Sequence, residues 1–276
     1  MMDKFDVVIV GSGPSGIHAA YPLLERGLKI IMLDGGLENQ DKNIFEKADQ
    51  LLQIKSNIKI NQTLATGGMS EVWPGICDYF TSEELIKIGL PADEIIKEYK
   101  EVSDLINLDN KPQLDIHGKI ILEASRDVYI LPTAQTYHTS SIVEKFKNYK
   151  NFTHFPNQLV LRAENKNAYV KIHTISLKEG DELIFKAKIL ILAAGSINTT
   201  RILLRSFNLY NYKVPFLTKK YYAIVCLNIK SFKKALTVKN TGQVAISNND
   251  YIIQFYKFNP NSFHKALPYF PFSKLP

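Results

Sequence analysis

The 276 residues are 45% hydrophobic and 22% charged, enough for one or two globular domains, and no apolar run approaches the ~20 residues of a membrane span. Cys77 and Cys226 lie far apart without C-x-x-C or H-E-x-x-H company, which excludes a disulfide framework, offers no metal site and fits a reducing cytoplasm. The net charge of +7 is uneven: from Ser206 onward ten lysines and one acid, Asp250, make +9, while the preceding 205 residues carry 24 basic and 26 acidic groups, or −2.

The first predicted strand begins at about residue 5, which leaves no room for a secretory leader. Asp6-Val-Val-Ile-Val-Gly11 runs as a buried strand into Ser12-Gly13-Pro14-Ser15-Gly16, and a helix follows over Ile17–Arg26. This is G-x-G-x-x-G between a strand and a helix, the dinucleotide-binding fingerprint in its proper setting. Gly11 permits the tight turn, Gly13 lets the backbone approach a pyrophosphate, and Gly16 lets helix and strand pack closely. The helix N-terminus adds free N–H groups and partial positive charge. Gly27 ends the helix, and Leu28–Leu33 reads as a second strand closing at Asp34-Gly35-Gly36. An acid at that strand tip accepts hydrogen bonds from adenosine ribose hydroxyls and disfavours a 2′-phosphate, hence NADP.

Gly67-Gly68-Met69-Ser70, followed by Trp73, is a second glycine-centred segment, either a backbone close to a flat ligand or a surface turn. Residues 81–107 read as helical, with Thr81 or Ser82 as N-cap, Glu83 and Glu84 in the first turn, and a second helix after Pro91. Past residue 152 the pattern turns to strands. Gln158–Arg162, Ala168–Ser176 and Leu183–Lys186 form a β-meander, and Lys188–Ala194 is an apolar run fit for a buried parallel strand. Gly195 and a helix over Asn198–Arg205 follow.

Leu192-Ala-Ala-Gly-Ser-Ile-Asn-Thr-Thr-Arg-Ile-Leu-Leu-Arg-Ser206, taken with the earlier glycine segments, resembles the FAD-binding part of the glucose–methanol–choline (GMC) oxidoreductase family, with Thr200 where that family usually has proline. The segment Gly67–Trp73 is similar to the pyranose oxidase-like branch, and the resemblance covers about residues 5–206. It implies that Gly11, Ser12, Gly13, Pro14, Ser15 and Gly16 hold the FAD pyrophosphate and that Asp34 and Gly35 meet the adenosine ribose. Gly67, Gly68, Met69, Ser70 and Trp73 would line the path to the flavin ring, Val160 would touch adenine through its backbone, and Ala194, Gly195 and Asn198 would pass close to the cofactor. Val72 stands where pyranose oxidases carry a flavin-linked histidine, so the FAD would be held non-covalently.

The chemistry implied is oxidation of an alcohol or sugar CH–OH, with a base taking the hydroxyl proton while a hydride moves to flavin N5. The family's catalytic histidine lies in a C-terminal part that this chain is expected to lack. None of His18, His117, His138, His154, His173 or His264 has a sequence neighbour that marks it as an oriented base, so the catalytic residue stays unknown. A catalytically incomplete FAD-binding fragment and an NAD-dependent dehydrogenase are the alternatives.

The expected architecture is α/β: a Rossmann-like FAD domain (1–75 and 126–206), with parallel sheet and meander, and a partial α+β substrate or cap domain (76–125 and 207–276). Tyr221–Ile229, Gln243–Ser247 and Tyr251–Phe258 would open a substrate-domain sheet. The aromatic, lysine-rich last quarter reads as a β core with a basic surface, or as a peripheral contact for anionic lipid or glycan. Nucleic acid is not expected as a partner.

Overall fold

β1 (Phe5–Val10) and β2 (Ile30–Leu33) are apolar without alternation because both their faces are covered: Val7 to Val10 and all of β2 are buried. The computed structural model describes residues 5–36, 62–72, 77, 79–108 and 137–215, the segments 128–129, 244–247 and 252–255, and positions 52, 119 and 123. The chain divides into two units, Met1–Pro74 with Tyr137–Pro215, and Gly75–Thr136 with Phe216–Pro276.

Helix α1 spans Pro14–Glu25 and so starts three residues before the expected Ile17. Pro14 occupies its first turn, where a missing N–H costs nothing and the fixed φ suits the helix. Gly27, at φ 78°, closes it, with Gly27 N donating to Leu24 O and Leu28 N to Leu23 O. β2 then begins at Ile30 rather than Leu28, because Lys29 still belongs to the turn and its carbonyl accepts from Asp6 N and Val7 N.

The remaining strands of this unit are β4 (Phe152–Phe155), β5 (Gln158–Lys166), β6 (Tyr169–Ser176) and β7 (Glu182–Leu192). They complete a six-stranded sheet in the order β4-β2-β1-β7-β6-β5, parallel from β4 to β7 and antiparallel from β7 to β5. The fold class is therefore α/β, with a mostly parallel Rossmann-like core. One expectation is corrected. The third meander strand and the last parallel strand are a single strand, β7, since no turn residue interrupts Lys186-Ala187-Lys188. Ala187 is the hand-over point, opposite Val170 of β6 on one side and Phe5 of β1 on the other. β4 and helix α4 (Thr139–Phe146) were not singled out in the sequence.

One face of the sheet buries Val8, Val10, Ile31 and Leu33 against Val160, Ile172, Phe185 and Ala187 of the meander, with Ile202 of helix α5 (Gly195–Ser206) in the same cluster. Phe155 meets Phe185 edge-on, ring centroids 5.4 Å apart, so the meander curls back over the parallel strands. On the other face lies α1, through Ile17, Ala20 and Leu24, with α4 beside it. Phe146 of α4 stacks on Tyr21 at 6.2 Å and meets Phe152 edge-on at 5.6 Å.

In the second unit, Thr81, one of the two expected N-caps, caps helix α2 (Ser82–Lys87), and Glu84 completes a reciprocal capping box. Helix α3 (Ala92–Ile106) follows, and Tyr79 packs on Tyr99 while sharing a 2.7 Å hydrogen bond with Ser103 Oγ. The short strand β3 (Val128–Tyr129) pairs antiparallel with β8 (Val244–Ser247), and β8 with β9 (Ile252–Phe255). The expected strand at 221–229, His117, His264, Cys226 and most of the lysine-rich last quarter lie outside the described residues. Among the described residues no helix is long and apolar enough to cross a membrane.

Two expected outcomes test this packing. Phe185 is 1% exposed, so Phe185→Ala should lower the unfolding free energy by about 3–5 kcal/mol in urea titration; a loss below about 1 kcal/mol would place Phe185 outside the core. His154 on β4 has its Nε2 buried without a partner among the described residues, and burial, assisted by Lys147, pushes its imidazole down to about 4. A base with a depressed folded pKa contributes stability that is complete above the ordinary imidazole value of 6.5 and is lost as pH falls towards about 4. Partial exposure screens the effect, leaving about 1–2 kcal/mol. His154→Gln should flatten the stability profile across that window, whereas an unchanged slope would assign the acid sensitivity elsewhere.

Candidate functional site

The strand order steps outward from β1 through β2 to β4, then returns across β1 to β7. The reversal lies between β1 and β7, and in open α/β sheets the crevice beyond the carboxyl ends at such a point is where ligands bind. Gly11–Gly13 leave β1 there, and Ala193–Gly195 leave β7 beside them, with Ala193 N donating to Val10 O.

The glycines of the first loop serve different ends. A Cβ on Gly11 (φ 101°) would lie 2.5 Å from Ala193 O, and one on Gly16 would lie 2.0 Å from Gly11 O. Both glycines are demanded by packing. Among the described residues a Cβ on Gly13 would meet only Gly67 O, at 3.8 Å, so none of them requires glycine at that position. Gly13 is also the N-cap of α1 without a side-chain cap, and no acceptor for the Ser15 or Gly16 N–H stands among the described residues.

Ser12, 0% exposed, is the junction of the site. Its N and Oγ both donate to Asp34 Oδ2, at 2.8 and 2.6 Å, and its Oγ accepts from Gly67 N at 2.7 Å. Gly36 N donates to Asp34 Oδ1 at 2.8 Å. Asp34 is only 6% exposed, and burial pushes its carboxyl up against the opposing pull of these donors. The residue expected simply to face a ribose therefore also anchors the loop. Gln158 N donates to Asp34 O and Asn157 N to Gly35 O, which brings the β4–β5 turn to the same edge.

The second glycine segment closes over the first. A Cβ on Gly68 (φ 59°) would lie 3.5 Å from Gly13 Cα, and one on Gly35 would lie 2.7 Å from Leu64. Gly68–Val72 is a turn of 3-10 helix, with Met69 44% exposed and Ser70 buried. Ser70 Oγ and Thr139 Oγ1 both donate to Gly67 O, at 2.8 and 2.9 Å. Ser140 N and Oγ donate to Glu71, at 3.0 and 2.9 Å, so Glu71 caps α4. Thr139, Ser140 and Glu71 were missed in the sequence; the run Thr139-Ser140-Ser141 was the available sign of a helix start. Trp73 lies outside the described residues, as does the side chain of Val72.

Val160 is 2% exposed in the core cluster, next to an irregularity in the β5–β6 register between Val160 and Arg162. Ala194 caps α5, and Gly195 (φ 76°) has nothing within 4 Å of a Cβ built on it. Asn198 Oδ1 is buried without a partner among the described residues, and so are Arg201 Nε and Nη2; burial, then Arg205, pushes that guanidinium down to about 10. Gln62 is another such group, 6% exposed with neither amide atom bonded. Three of the histidines have side-chain neighbours: His18 Nε2 lies 3.2 Å from Tyr137 OH, His173 Nε2 2.9 Å from Glu164 Oε1, and His138 Nδ1 3.8 Å from Glu71 Oε2.

The open face of Gly13 and the spare N–H groups of α1 fit a dinucleotide diphosphate in chemistry. No family model matches the chain. Over 42 residues, 15% of this chain and 10% of the relative, it is 45% identical to Protein FixC of Rhizobium meliloti (strain 1021). Among solved structures, pyridoxine 4-oxidase from Mesorbium loti is similar with a TM-score of 0.45 and 16% identity over 73% of this chain and 52% of that one. Bacillithiol disulfide reductase Bdr (YpdA) from Bacillus cereus is similar with a TM-score of 0.33 and 16% identity over 70% of this chain and 40% of that one. The chain thus spans a tenth of the first relative and about half of the first structure.

The two glycines separate fold from binding. Gly16→Ala should destabilise the protein by about 1–3 kcal/mol or more, through overlap with the Gly11 carbonyl, while Gly13→Ala should change stability by no more than about 0.5 kcal/mol. Thermal unfolding of both variants checks this, and equal losses would show that both glycines serve packing.

Proposed function

We propose that the chain binds FAD non-covalently and belongs to an oxidoreductase acting on a CH–OH group of an alcohol or sugar. The observation that carries the reading is the junction at Ser12, which draws Asp34 and Gly67 together around a Gly13 that the fold does not require. A plain NAD domain has no need of the second glycine segment or of a meander curling back to the end of β2. The GMC-like residues 192–206 support flavin over nicotinamide and CH–OH over other donors. Valine at position 72 supports non-covalent binding, since it cannot bond to a flavin.

In this reading the Ser15 and Gly16 N–H groups and the α1 dipole take the diphosphate charge. Asp34 fixes Ser12 through Oδ2 and meets a ribose hydroxyl through Oδ1, which has one internal donor. Met69 and Ser70 line the way to the ring, and Asn198 Oδ1 takes a donor from the cofactor. Bound FAD supplies two-electron oxidation of the alcohol carbon. The substrate base is assigned to no residue of this chain.

The purified protein should be yellow, release its flavin on denaturation, and bind FAD rather than NAD in an equilibrium titration. Gly13→Ala should raise the FAD Kd at least about tenfold with little change in stability, because the methyl group enters the space kept for the diphosphate. Binding of NAD in place of FAD would overturn the proposal. Bleaching of the bound flavin under anaerobic conditions by one of a set of primary alcohols, secondary alcohols and aldoses tests the reaction; a flavin unmoved by all of them would remove the CH–OH assignment.

A further inference from the structure

We infer that the segment closing helix α5 is a docking surface for an anionic lipid bilayer, an assignment independent of the FAD reading. Phe207, Tyr210 and Tyr212 are 68%, 68% and 64% exposed, and Leu203, Leu209 and Val214 of the same stretch are exposed too. The backbone that presents them is fixed. Asn208, at φ 57°, ends α5 in a Schellman motif, with Leu209 N donating to Leu204 O at 2.8 Å and Asn208 N to Arg205 O at 3.2 Å. A turn follows in which Tyr212 N donates to Leu209 O at 3.2 Å. The apolar side chains of residues 203–214 are thus held outward by hydrogen-bonded turns, and an ordered, exposed apolar cluster marks a contact surface.

The charge around the segment selects the partner. Ser206 Oγ accepts from Ala163 N at 2.8 Å, so the last turn of α5 lies against β5, where Arg162 and Lys166 are both paired with Glu164. Part-exposed Arg205 and exposed Lys213 add two further cations on the segment itself. The sequence holds no acid between Ser206 and Asp250. An anionic bilayer answers both features: its headgroups attract the lysines and arginines, while phenylalanine, tyrosine and leucine side chains settle at the boundary between headgroups and acyl chains. Single-stranded nucleic acid also pairs cations with aromatic rings, but its bases stack on rings and have no use for the aliphatic Leu203, Leu209 and Val214. The stretch is shorter than the ~20 residues of a membrane span, so the contact it makes is peripheral.

The test sediments the full chain with vesicles of phosphatidylcholine alone and with vesicles carrying about a third phosphatidylglycerol. Binding to the anionic vesicles should be at least about tenfold tighter, and should weaken about tenfold between about 0.1 and 0.5 M salt. The double variant Phe207→Ser, Tyr210→Ser should lose at least about tenfold in vesicle affinity with its urea midpoint unchanged, because side chains this exposed add little to the fold. Lys213→Glu should narrow the preference for anionic over neutral vesicles at least about threefold. Absence of binding, equal binding to both vesicle types, or a double variant that binds like the wild type would overturn the inference. Tighter binding to single-stranded oligothymidine, lost in the same double variant, would overturn it in favour of nucleic acid. A lowered urea midpoint in the double variant would overturn it by placing these rings against the protein itself.

Discussion

The bond pair from Ser12 to Asp34 is the constraint on which the rest of the site depends. A buried hydroxyl that donates to a carboxylate and accepts from Gly67 N leaves neither partner free to drift, because each would then lose a charge-assisted or buried hydrogen bond. Three turns separated along the chain thus share one atom, Ser12 Oγ, or its carboxylate partner. The first glycine loop, the tip of β2 and the second glycine segment are positioned together rather than separately.

Strand β7 plays the matching part in the scaffold. Its first half belongs to the antiparallel meander and its second half to the parallel core, with Ala187 shared by both. A small side chain suits that point, where two ladders meet and the sheet bends. The curl carries Val160, Ile172 and Phe185 over Val8, Val10 and Leu33, so the meander seals one face of the parallel strands and its first strand starts beside the tip of β2. The core and the edge of the site are built by the same bend.

Stability and binding part company at specific atoms. Gly11 and Gly16 answer to packing, whereas among the described residues a Cβ on Gly13 would make one ordinary contact, with Gly67 O, and a Cβ on Gly195 none. Gln62, Asn198 and Arg201 keep buried polar atoms without partners among the described residues. Native interiors rarely retain such groups without a use for them.

Strand β1, its glycine turn, α1 and the acid after β2 were legible from the sequence alone, because apolar runs and glycine spacing act within a few residues of one another. The start of the helix after Thr81, with acids in its first turn, was legible for the same reason. The fusion of the meander with the parallel sheet was not, since lysines at 186 and 188 hide a continuous strand in a pattern that breaks in two. Nor was the latch of Thr139 and Ser140 onto Gly67 and Glu71, whose partners stand some 70 residues apart (|i−j| = 72 and 69). Local chemistry determined what each turn could do; which turns meet, which glycine is left open and which amide is left unpaired were decided by long-range packing, and no short-range pattern encodes that.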